Sequence, residues 1–183
     1  MQSFIAHLWK FALITAAGAA GSITFGLMLY GSEVFNYTGV TFAFVAFGLS
    51  GSFIFAFYHV YGFSNSVTAA MTVSVVQFIT ASAWMPMLNA GLWSFGVNLP
   101  VVWLAFLFER KLAVFHWAKC FVVGIVYGAV FVLLTLIVGM LQTGTVIPPE
   151  VFRANYIDGL LIGLGMGLGV QAGEANIHSL ERK

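Results

Sequence analysis

Residues 117–141 read WAKCFVVGIVYGAVFVLLTLIVGML, and from Cys120 to Leu141 no residue is charged. At a rise of about 1.5 Å per residue, such a helix covers the roughly 30 Å hydrocarbon core of a bilayer. Outward from it, comparable apolar runs fall at 11–30, 38–61, 66–87, 90–108 and 156–172. Turn and charge signals separate them: Gly31-Ser32-Glu33, Gly62-Phe63-Ser64-Asn65, Pro86 with Asn89-Ala90-Gly91, Glu109-Arg110-Lys111, and Gly144 through Pro148-Pro149-Glu150. The expected fold is all-α, a polytopic integral membrane bundle of about six transmembrane helices forming a single domain over 1–183.

Composition agrees. Of 183 residues, 61% are apolar and 7% charged, whereas a soluble domain is about 25% charged and needs that many to dress a water-facing surface. The lipid bilayer is therefore the expected surrounding. A net charge of +1 without a basic cluster excludes nucleic acid as a partner. The lone Cys120 forms no internal disulfide and supplies no zinc site by itself. Lys10 followed by Ala16, Ala17, Gly18, Ala19 and Ala20 imitates a cleavable signal, but the apolar run continues to Tyr30, long enough to span.

Cytoplasmic loops carry an excess of Lys and Arg. With the amino terminus inside and six spans, Lys10, Arg110, Lys111, Lys119, Arg182 and Lys183 fall on the cytoplasmic side and Arg153 alone falls outside. Both termini are expected in the cytoplasm, in a bacterial cytoplasmic (inner) membrane. Trp84 and Trp93 would then belong to the outer aromatic belt and Trp9 and Trp117 to the inner one, with Trp103 deeper.

Helices in lipid associate through small residues that let backbones approach. In the last span Gly159, Gly163 and Gly167 recur every four residues, and Gly165, Gly169 and Gly173 form a second row on a face roughly opposite. Such a helix is expected to be wedged between two partners. Thr15, Gly18, Ala19, Ser22 and Gly26 repeat the theme in the first span, and Gly48, Gly51 and Ser52 in the second.

Polar side chains at membrane depth are the candidate functional groups. Ser74, Gln77 and Thr80 draw a stripe along the third span, and Ser94 and Asn98 lie on one face of the fourth. Pro100 removes a backbone donor, so the fourth helix is expected to kink or break near Gly96. Gln77 and Asn98, the deepest strongly polar groups, either line a hydrated cavity or lock the two helices together. A cavity supports transport. A dry contact between the two amides would overturn the transport reading built on them.

None of Glu33, Glu109, Glu150, Asp158, Glu174 and Glu181 falls at the expected midplane, which disfavours a proton-coupled pump. Asp158, read as the start of the glycine helix, is expected to stabilise the helix dipole. His7, His59, His116 and His178 share the cytoplasmic side but lack helical ligand spacing, so no metal and no cofactor are expected. The string Gly48-Leu49-Ser50-Gly51 resembles the G-x-S-G of intramembrane serine proteases over four residues only. His59 lies nine positions along the same helix rather than on a following one, so no nucleophile and base pair is expected, and no enzymatic activity.

The sequence thus points to a membrane transport component, a permease or a substrate-binding membrane subunit for a small solute. Size and topology resemble the substrate-binding membrane subunits of energy-coupling vitamin importers; the resemblance is architectural and assigns no residue. No G-x-x-x-x-G-K-[ST] string occurs, so ATP-driven action would require partner membrane subunits. The alternative is a non-catalytic subunit of a larger redox or assembly complex, docked on neighbours or on a second copy through the two-sided glycine helix.

Overall fold

The computed structural model describes residues 2–36, 38–111, 116–144 and 148–181, all-helical with no strand among them. Arg182 and Lys183 lie outside the described residues, as do the side chains of His116, Trp117, Lys119 and His178. Helix α1 is Gln2–Tyr30, α2 Glu33–Asn36 and α3 Thr38–Thr41. A π-helical segment, Phe42–Phe47, joins α3 to α4, Gly48–Tyr61. Then come α5 Phe63–Ala81, α6 Met87–Lys111, α7 His116–Thr143 and α8 Pro149–Glu181. Glycines end three of these helices: Gly31 (φ 58°), Gly62 (φ 83°) and Gly144 (φ 61°) adopt backbone that side chains with a Cβ resist, and each donates its N–H back to a carbonyl in the last turn.

Three helical stretches, Phe4–Tyr30, Gly39–Tyr61 and Phe121–Leu141, are long and apolar enough to cross a membrane, which marks a membrane protein. The other expected spans are more dilute in apolar residues. Helix α5 carries Ser64, Asn65, Ser66, Thr68, Thr72, Ser74, Gln77 and Thr80, and α8 carries six glycines besides its charges. At 19 residues α5 still measures about 28 Å.

Several boundaries differ from the sequence reading. The third helix stops at Ala81, not 87, because Ser82–Trp84 turn back onto α5 through bonds from their N–H groups to Phe78, Thr80 and Ala81 carbonyls. The last helix starts at Pro149, where a missing N–H loses nothing. Asp158 is therefore nine residues inside α8, and its expected role at the helix start is corrected. The expected break at Pro100 is likewise absent, since α6 runs unbroken from Met87 to Lys111. Neighbouring helices hold such positions in a bundle; here Leu134 of α7 fills the notch at Gly96, where a Cβ would stand 3.1 Å from one of its methyls.

Helix α8 lies antiparallel between α1 and α7. Gly165 faces Gly21 and Ser22, Gly169 faces Ala17 and Gly18, and Gly173 faces Ile14. On the other side, a Cβ at Gly159 would stand 2.6 Å from the Tyr127 carbonyl oxygen, and one at Gly163 2.6 Å from that of Val123. Gly167 is half-buried. The same economy joins α1 to α4, where Gly18 meets Ser52 and Gly48 meets Ser22. Helix α4 also touches α5, α6 and α8, and the π segment at its head packs on α1 and α8 and buries Phe44 and Phe47. The outer surface is apolar, with Met28, Ile79, Trp103, Ile125, Leu133 and Met140 all exposed.

Candidate functional site

The polar side chains of α4, α5 and α6 converge. Asn98 donates from Nδ2 to Gln77 Oε1 (2.6 Å) and to the Ser94 carbonyl (2.8 Å), with Ser74 Oγ 3.2 Å away, and Ser50 donates to Asn98 Oδ1 (2.7 Å). Ser74 donates to the Ser94 carbonyl at 3.1 Å. All five residues are buried, Asn98 completely and Gln77 to 6% exposure. The structure brings Ser74, Gln77, Ser94 and Asn98 together, and Ser50 joins them. The Ser94 hydroxyl itself is buried without a partner. Thr80 stands apart, exposed and bonded to carbonyls of its own helix.

Gln77 and Asn98 thus bond to each other in a buried contact, which is the interhelical lock of the two alternatives. Unsatisfied amides are costly away from water, which is why they find each other. The serine of the G-x-S-G string is one of the lock's donors.

The lock has a second consequence. Gln77 Nε2 donates to the Ala46 carbonyl (3.0 Å), and Ser22 Oγ from α1 donates to the Phe44 carbonyl (2.9 Å). Both carbonyls belong to the π segment. Residues five apart in an α-helix point about 140° away from one another, but the i→i+5 register of a π turn brings them to the same side. Phe42 and Phe47 accordingly meet with ring centroids 4.8 Å apart. The polar groups hold open a register that aligns two phenylalanines.

Those rings form one wall of a recess. Phe42 contacts Trp84 (5.3 Å, edge to face), Phe47 stacks near Trp93 (6.3 Å, 27°), and both Phe47 and Trp93 meet Phe131 of α7 edge-on. The opposite side is polar. Tyr30, at the end of α1, donates its hydroxyl to Asp158 Oδ1 at 2.7 Å, and Asn155 lies one turn earlier on α8. The recess has a volume of about 610 Å³. Of its lining residues Gly39, Trp84 and Ala154 are exposed, on α3, in the turn between α5 and α6, and in the first turns of α8.

No family model, no curated protein and no solved structure matches the chain. The site therefore has to be read from its own chemistry.

At the opposite end of the bundle, His59 Nδ1 lies 3.5 Å from Glu174 Oε1, both partly exposed. Among the described residues no group of three or more His, Cys, Asp or Glu is placed to hold a metal ion. The sequence reading found the polar lock but missed the recess. Trp84 and Trp93 look like interfacial belt residues, and nothing in Phe42-Ala43-Phe44-Val45-Ala46-Phe47 announces a π register.

Proposed function

We propose that this chain is a transport component of a bacterial cytoplasmic membrane, a permease or solute-binding subunit that takes a small solute into the aromatic recess. The observation that carries the reading is that recess itself. Its volume of about 610 Å³ falls within the roughly 300–1,000 Å³ of small-molecule sites, and its apolar rings with a few convergent polar groups are the usual makeup of one. The bundle spans the membrane about six times with both termini cytoplasmic. Lys10 lies in the first third of α1 and the pair Arg110-Lys111 at the end of α6, both remote from the recess, so an excess of cytoplasmic cations turns the recess outward. Helices α5 and α6 tolerate membrane depth because the Gln77 and Asn98 amides and the Ser74 hydroxyl are hydrogen-bonded inside the bundle.

The competing reading, a subunit that docks through its glycine helix, loses its chief support: Gly165, Gly169 and Gly173 are already covered by α1, and Gly159 and Gly163 by α7, of the same chain. Thermal denaturation of the purified full chain against a panel of small solutes tests the choice. A solute held at about 100 times its Kd stabilises by about 2.7 kcal/mol, which raises Tm by roughly 5 °C or more; the rise should vanish in Trp93→Ala. An obligate co-purifying protein together with no responding solute would establish the subunit reading instead.

A further inference from the structure

Resting on that reading, we infer that the recess selects a small organic cation, one whose positive charge is alkylated or spread over a flat ring. Aromatic faces carry the negative side of the ring quadrupole and attract weakly hydrated cations within about 6 Å. Trp84, Phe42, Phe47 and Trp93 supply such rings along one wall. Facing them is Asp158. Among the described residues its polar partner is the neutral Tyr30 hydroxyl, and no Lys, Arg or His forms an ion pair with it. Arg153, five positions earlier, points about 140° away around α8.

The arrangement discriminates. An anion meets a carboxylate and the negative faces of the rings. An inorganic cation such as calcium requires about six to eight oxygen ligands, and the recess offers the side-chain oxygens of Asp158, Tyr30 and Asn155. A methylated ammonium or a charged heteroaromatic ring needs no shell of acceptors, because it presents carbon to the tryptophans while its charge lies near the carboxylate.

The probe is phenyltrimethylammonium, compared with benzyl alcohol and benzoate by quenching of tryptophan fluorescence in the purified full chain. The cation should bind saturably with a Kd at least tenfold below those of the neutral and anionic compounds. Asp158→Asn, which keeps an acceptor for Tyr30, should raise the cation's Kd at least tenfold, and Trp93→Leu should abolish the preference. Trp84→Leu, at the half-exposed mouth, provides a second ring variant that leaves the packed interior alone. Equal binding of benzyl alcohol and the cation, both lost in Trp93→Leu, would overturn the cation inference while leaving a solute site in place. A preference that survives all three variants would overturn the assignment to this recess. Absence of saturable binding by all three compounds would overturn the inference; if the wider solute panel also fails to raise Tm, the transport reading falls with it.

Discussion

Gly169→Val should abolish a stable, monodisperse bundle, whereas Gly91→Ala should leave it intact. A Cβ at Gly169 would run into the Ala17 carbonyl, 2.5 Å from its carbon, and stand 2.6 Å from Gly18 Cα. These are backbone atoms on a facing helix and cannot rotate aside, so α1 and α8 must separate along their whole contact. Overpacking of a fitted core typically costs about 1–3 kcal/mol and more where backbone must move. In lipid, where close approach is the main attraction between helices, we expect at least about 3 kcal/mol. At Gly91 the nearest side-chain atoms are on Phe78 at 3.9 Å, ordinary contact distance. Alanine there also favours the helix by up to about 1 kcal/mol. Size-exclusion profiles and Tm in detergent check both. Similar stability for the two variants would mean that α8 is not wedged as described.

Asn98→Asp should be nearly as damaging despite its identical shape. It puts an oxygen where Asn98 Nδ2 now donates to Gln77 Oε1 and the Ser94 carbonyl. An ionised aspartate is buried without a cation, and a protonated one has one hydrogen where two are needed. Leaving such groups unpaired costs about 1–3 kcal/mol for neutral atoms and more for a charge. We expect about 3 kcal/mol or more, read as a fall in Tm. Asn98→Leu leaves Ser50 and Gln77 without their partner, and adding Gln77→Leu should recover part of the loss, since removing both members of a bonded pair is gentler than removing one. The double variant still forfeits the bond to the Ala46 carbonyl, so the π register and the Phe42 to Phe47 contact should loosen even where stability returns.

Much of this fold is legible in the sequence because lipid imposes simple rules. The Phe121–Leu141 run and its partners are long because the bilayer is thick, and the glycines of α8 are spaced by four because helices touch along one face. The identities of the buried polar residues were legible for a related reason: the amides of Gln77 and Asn98 need partners at depth, and bundle-facing positions supply them. Their purpose was not. Whether two amides line water or bond to each other depends on how α5 and α6 dock, and no spacing rule decides that. Asp158 was misplaced because Pro148 and Pro149 look like a loop, although a proline fits the first turn of a helix as readily. The recess was invisible because its geometry depends on one π turn in a segment of phenylalanine, alanine and valine.

Solvent access measured by cysteine labelling tests the central claim most directly, namely that water reaches the recess and stops short of the polar lock. In a Cys120→Ser background, Ala43→Cys and Ala154→Cys report on the recess lining and Ser74→Cys on the lock. A membrane-impermeant maleimide applied from outside intact cells should modify the first two rapidly and leave the third unmodified until the protein is unfolded. Labelling of Ser74→Cys as fast as Ala154→Cys, or no labelling of either recess position, would contradict the account.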